Sequence, residues 1–153
     1  MATFSRYMLS NNPVPANISA IGMKSTPKIG TTGEHRFTVS QEYTITFAHD
    51  GMPAVLSTPN LIALMERTAR EAIAPFLEQD ERSVGVEIEL RHLAPTPLGA
   101  QVIVTTRVIG ASGRYVDFQV EARDSQELIA RGVHKRAVIR TGAFTKRVQS
   151  KAS

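Results

Sequence analysis

The chain of 153 residues contains no cysteine. A disulfide framework, a cysteine nucleophile and a cysteine metal site are therefore all excluded. No apolar run approaches the roughly 18 to 20 residues that a membrane span needs, so a soluble, cytoplasmic protein without a membrane partner is expected. Acid is absent from both ends. Residues 1–30 hold Arg6, Lys24 and Lys28, and residues 140–153 hold Arg140, Lys146, Arg147 and Lys151. The formal net charge of +4 thus comes from tails carrying seven bases, while the middle sets 14 acids against 11 bases and is −3. Such a middle is not a nucleic-acid-binding footprint. The four histidines, His35, His49, His92 and His134, have no metal-ligand spacing, so neither a metal nor a cofactor is expected.

What is present is led by one stretch, Thr58 to Leu77. At about 100° per residue, Leu61, Met65, Thr68, Ala69, Ala72 and Phe76 share a face, widened by Ile62, Ile73 and Leu77. Asn60, Arg67, Arg70 and Glu71 take the opposite side. The pattern predicts one long, largely buried helix, capped by Thr58, with Pro59 in its first turn and Pro75 ending or kinking it. Glu66 breaks the pattern, because the wheel sets it between Ile73 and Leu77. A carboxylate there either meets a partner in the core or a cleft, or snorkels to water.

Residues 1–33 show no sustained period, with Pro13, Pro15, Pro27, Gly22, Gly30 and Gly33 among polar residues, and read as an extended or mobile leader. From His35 to Phe47, alternation of Phe37, Val39, Tyr43, Ile45 and Phe47 predicts a strand with a bulge near Gln41. His49-Asp50-Gly51 reads as a turn, with a chemical role for His49 and Asp50 as the alternative. Ser83 to His92 alternates with Val84, Val86, Ile88 and Leu90 on one side. The same period turns His92 inward, either as a satisfied core residue or as a functional one. Three more strands follow, Gln101 to Ile109, Arg114 to Arg123 and Glu127 to Arg140. In the last, Arg131 and Lys135 interrupt one face while His134 and Arg136 interrupt the other. Strand, helix and a four-strand antiparallel meander make an α+β domain in which the helix covers one sheet face.

That order, with the runs Val55-Leu56-Ser57-Thr58 through Leu64-Met65-Glu66, Ser83-Val84-Gly85, His92-Leu93-Ala94-Pro95-Thr96-Pro97 and Gly132-Val133-His134-Lys135-Arg136-Ala137-Val138-Ile139, resembles hotdog-fold acyl-CoA thioesterases of the fluoroacetyl-CoA type. The resemblance spans about residues 34–148. It implies a hotdog domain over residues 34–140, a long central helix wrapped by about five antiparallel strands, and a basic tail over 141–153. It also implies Thr58, Glu66 and His92 as the catalytic group, Gly85 and Arg136 as substrate-binding residues, and an acyl-CoA as substrate. For Thr58 the capping role remains an alternative, as does a surface position for Arg136. The segment between first strand and helix is several residues shorter here than in the fluoroacetyl-specific type, so a short- or medium-chain acyl-CoA is expected rather than a fluorinated one. A non-catalytic acyl-CoA-binding module and a hotdog dehydratase are the competing readings.

Within one chain these residues do not converge. Gly85 and His92 are about 23 Å apart along a strand at roughly 3.3 Å per residue. Thr58 and Glu66 are about 12 Å apart along a helix at roughly 1.5 Å per residue. A homodimer with active sites shared across its interface is the expectation.

Overall fold

The apolar arc folds as helix α1, Thr58–Ile73, followed by a 3-10 turn, Ala74–Phe76. The α-helix stops before Pro75, whose ring and missing N–H do not allow the ladder to continue. It is shorter than the Thr58 to Leu77 helix expected. Its cap also differs: Ser57 occupies the N-cap position and its Oγ accepts from the Asn60 amide at 3.3 Å. Thr58 is therefore the first helical residue, and its hydroxyl is released from the capping role. The structure, a computed structural model, describes residues 23–152.

Five antiparallel strands form the sheet: β1 Thr32–Thr38, β2 Glu81–His92, β3 Gln101–Ser112, β4 Tyr115–Arg123 and β5 Leu128–Arg140. Their spatial order is β1-β3-β4-β5-β2. Only β3, β4 and β5 form a meander, which corrects the four-strand meander expected from sequence. β2 lies beyond β5, paired from Glu81↔Arg140 to His92↔Ala130. The reason lies in the connection after β2. Residues 93–100 are held across the fold, where Leu93 donates its amide to the Ile129 carbonyl and Thr96 O accepts from Leu56 N. They do not close a hairpin, and among the described residues the far edge of β2 has no neighbouring strand.

The first strand is shorter and earlier than expected. β1 ends where its pairing with β3 ends, at Thr38↔Gln101. The anticipated bulge near Gln41 is a 3-10 turn, Gln41–Tyr43. Tyr43 returns edge-on to Phe37, with ring centroids 5.6 Å apart. Of the leader expected over 1–33, residues 1–22 lie outside the described residues. Met23 packs against the core and the Gly30 amide donates to Val108 O. The expected basic tail forms a second helix, α2, Thr141–Lys151. It is tied down by an Arg140–Asp80 ion pair of 2.7 Å and by Thr141 N donating to Asp80 O.

α1 lies across one face of the sheet, against β3, β1, β2 and β4. Leu61, Met65, Ala69 and Ile73 meet Val102, Val104, Phe118, Val120 and Ile129 in a continuous buried core. Leu64, outside the arc read from the wheel, is buried as well. Among the described residues no helix is long and apolar enough to cross a membrane.

Candidate functional site

The sequence-predicted residues fall into two groups on the same side of α1. Thr58 and His92 form the first. The first turn of α1 and the last residue of β2 meet, and Thr58 Oγ1 shares a 2.8 Å hydrogen bond with His92 Nδ1. They stand on a cleft of about 330 Å³ whose other walls include Ile45, Val55, Leu56 and Leu93. Val55 and Leu56 are held extended by isolated bridges to Pro97 and Thr44, so loop backbone on both sides shapes the cleft. Burial lowers the His92 pKa below the ordinary value, partly offset by a hydrogen bond with the Ala94 backbone. The ring is thus held neutral near pH 7. His92 Nε2 is buried without a hydrogen-bond partner among the described residues.

Glu66, Gly85 and Arg136 form the second group. A β-bulge between Gly85 and Glu87 breaks the register of β2 with β5, and the alternation read along Ser83 to His92 fails there. Ser83 and Gly85 face α1 on one side of the bulge, and Ile88, Leu90 and His92 do so on the other. Bulges of this kind re-aim side chains beside functional sites. At Gly85 the helix comes close enough that a Cβ would overlap Glu66 Oε1 and lie 3.2 Å from both Glu66 Cδ and His134 Cε1. A larger residue would push the carboxylate out of this position.

Arg136 is 4% exposed, so its surface reading does not hold. Its guanidinium donates from Nε to Ser83 Oγ at 2.9 Å, from Nη2 to Ser83 O at 2.8 Å and from Nη1 to Glu66 O at 3.4 Å. Burial lowers its pKa, opposed by the charge of Glu66, but an arginine so placed stays protonated. The Glu66 carboxylate lies 3.6 Å from Nη1, and its side chain is 42% exposed. Glu66 is therefore neither a core residue nor a snorkelling one, but the exposed end of a buried charge cluster at the open edge of the sheet.

Within one chain the two groups remain apart, as the spacings along helix and strand require. His134 and Ser83 complete the second group and are not among the site residues read from sequence. The signal for His134 was its position two residues from Arg136 on one face of β5. His49 and Asp50 make a 2.9 Å contact with each other, and both are exposed in a tight turn. No three His, Asp or Glu side chains come together as a metal-ligand set among the described residues.

Residues 39–142 match the model of a family described as fluoroacetyl-CoA-specific thioesterase. The fluoroacetyl-CoA thioesterase of Streptantibioticus cattleyicolor is 33% identical over 135 residues, covering 84% of this chain and 97% of that protein. A solved mutant of a fluoroacetyl-CoA-specific thioesterase, in complex with fluoroacetate and CoA, superposes with a TM-score of 0.71 at 33% identity, over 77% of this chain and 99% of that one. A hot-dog-like protein from Thermanaerovibrio acidaminovorans gives 0.76 at 30% identity, over 82% and 93%. The five-strand antiparallel sheet is that of the hot-dog-like neighbour, and the chain belongs to the fluoroacetyl-CoA-specific thioesterase family.

Proposed function

We propose that the protein hydrolyses a short- or medium-chain acyl-CoA to the free acid and CoA, with active sites completed across a homodimer. The observation that carries this reading is the Thr58–His92 hydrogen bond on an apolar cleft, on the strand whose other half holds Gly85 beneath Glu66. A cleft of about 330 Å³ is at the small end of ligand pockets, which run about 300–1,000 Å³.

The outer edge of β2, unpaired among the described residues, supports the dimer. Antiparallel pairing of β2 with its copy, about a two-fold axis near Ile88 and Glu89, sets Gly85 of one chain beside His92 of the other. Glu66 then shares a site with the partner's Thr58–His92 pair, twice per dimer. Glu66 activates water or attacks the thioester carbonyl directly to give an anhydride. Neutral His92 polarises the carbonyl or carries the proton, and Thr58 orients its ring. The thiolate of CoA is a good leaving group and needs little protonation. Arg136, buried beside Glu66, lies toward the acyl end and not toward the CoA phosphates, and its positive charge favours the developing oxyanion.

A thiol-release screen across acyl-CoA chain lengths tests the activity, with turnover expected on short or medium chains. Binding without thiol release points instead to a binding module, and turnover only of 3-hydroxyacyl thioesters as alkenes points to a dehydratase. Mixing inactive Glu66→Gln and His92→Ala variants tests the shared site. Subunit exchange should restore about a quarter of wild-type activity, because about half the dimers are mixed and each holds one intact site. No recovery after demonstrated exchange sinks the cross-subunit arrangement.

A further inference from the structure

His134 is 3% exposed in the middle of β5, stacked 6.3 Å from the Phe118 ring. Its Nδ1 lies 2.8 Å from the Glu87 carbonyl on β2. A carbonyl only accepts, so Nδ1 carries the proton. Its Nε2 lies 3.2 Å from Arg136 Nη1. A guanidinium only donates, so Nε2 presents its lone pair. Two neighbours of fixed polarity thus pin the ring as the neutral Nδ1–H tautomer. Burial lowers its pKa, as does the Arg136 charge, while the Glu87 carbonyl bond and Glu66 oppose the shift.

The bond to Nε2 completes an account of the arginine. One proton of Nη1 goes to the Glu66 carbonyl and the other to His134 Nε2. None is left for the Glu66 carboxylate, which stands 3.6 Å from Nη1, beyond hydrogen-bond distance, and 3.9 Å from His134 Nε2. We propose that His134 is a positioning residue: by accepting one Nη1 proton it holds Arg136 beside the Glu66 carboxylate without letting the two close into a hydrogen-bonded pair. Glu66 keeps the electrostatic influence of the cation while its oxygens stay available for water or thioester. This inference rests on the catalytic reading of Glu66 for its consequence, though not for its geometry.

Two arms test it. In kinetics, His134→Leu removes the acceptor, and Arg136 closes on Glu66 at the 2.7–2.9 Å typical of charged pairs. kcat should then fall about tenfold or more, the scale of one hydrogen bond to a charged group, with KM little changed. His134→Gln places an amide oxygen near the position of Nε2 and should recover most of kcat. Unchanged kcat in His134→Leu, or an equal loss in a folded His134→Gln protein, overturns the proposal. The second arm needs no activity. With 15N-labelled histidine, the His134 resonances at neutral pH should be those of a neutral ring protonated at Nδ1. An Nε2–H tautomer or a charged ring overturns the proposal. If the Nδ1–H signature is found while wild-type protein releases no thiol, the thioesterase reading fails and the positioning of Arg136 by His134 stands.

Discussion

The two halves of the candidate site are built on opposite principles. Around Glu66 a cation, an imidazole and a serine are buried under the helix, and each polar atom is accounted for by a protein partner. Around His92 a single side-chain hydrogen bond sits at an apolar cleft, and a buried ring nitrogen has no partner among the described residues. An unpaired buried polar atom costs about 1–3 kcal/mol. The first half is complete within one chain and sets an electrostatic environment. The second is unfinished within one chain and is the half that a ligand or second subunit would complete.

Substitutions in each half and a change of pH sharpen this contrast. Glu66→Gln keeps the shape of the charged half and removes its base. Thiol release should fall about 10² to 10⁴-fold, with the melting temperature nearly unchanged because the side chain is partly exposed. Full activity in that variant would remove Glu66 from the mechanism. Gly85→Ala adds a methyl where Glu66 Oε1 already lies. It should displace the carboxylate, cutting activity about tenfold or more, with a smaller effect on stability, because the overlapped atom is the far end of a flexible, partly exposed side chain. A denaturation curve together with a rate measurement shows whether activity falls further than stability.

In the other half, Thr58→Ala should cost about tenfold in kcat by freeing the His92 ring, with little loss of stability because Ser57 caps the helix. Ser57→Ala should show the reverse, about 1 kcal/mol of stability with a smaller change in kcat. Equal effects from the two would mean that Thr58 acts only through the helix end. The smallest expected effect is on pH-dependent stability. His92 and His134 both have pKa values lowered by burial from the ordinary 6.5. The unfolded chain therefore takes up protons first as pH falls, and stability declines below about pH 7 until the folded-state values are passed. Above that range the two rings contribute no slope. The melting temperature should be lower at about pH 5.5 than at about pH 7.5, and the drop should be smaller in His134→Gln.

Glu66 and His92 were legible in the sequence because each breaks a periodic pattern: a carboxylate within an apolar helical arc, and a histidine on the inward side of a strand. Gly85 was reached only through the family resemblance. The bulge that aims it at Glu66 cannot be read from β2 alone, since a bulge is a mismatch with the partner strand β5. In sequence His134 is only an interruption of β5, because its partner Glu87 O is a backbone atom 47 residues away. The cap expected of Thr58 belongs to Ser57. Adjacent hydroxyl residues are equivalent in sequence, and only the entry angle of the chain chooses between them.

By itself the sequence determined which segments alternate with a period of two, where the apolar arc of α1 lies, where Pro75 stops it and which ionisable residues violate those periods. These follow from local geometry that repeats along the chain. Only the tertiary structure decided that β2 crosses to pair with β5, its other edge unpaired among the described residues, and that Arg136 is buried against Ser83 and His134. Strand order and charge burial depend on residues distant in sequence, and no local period records them.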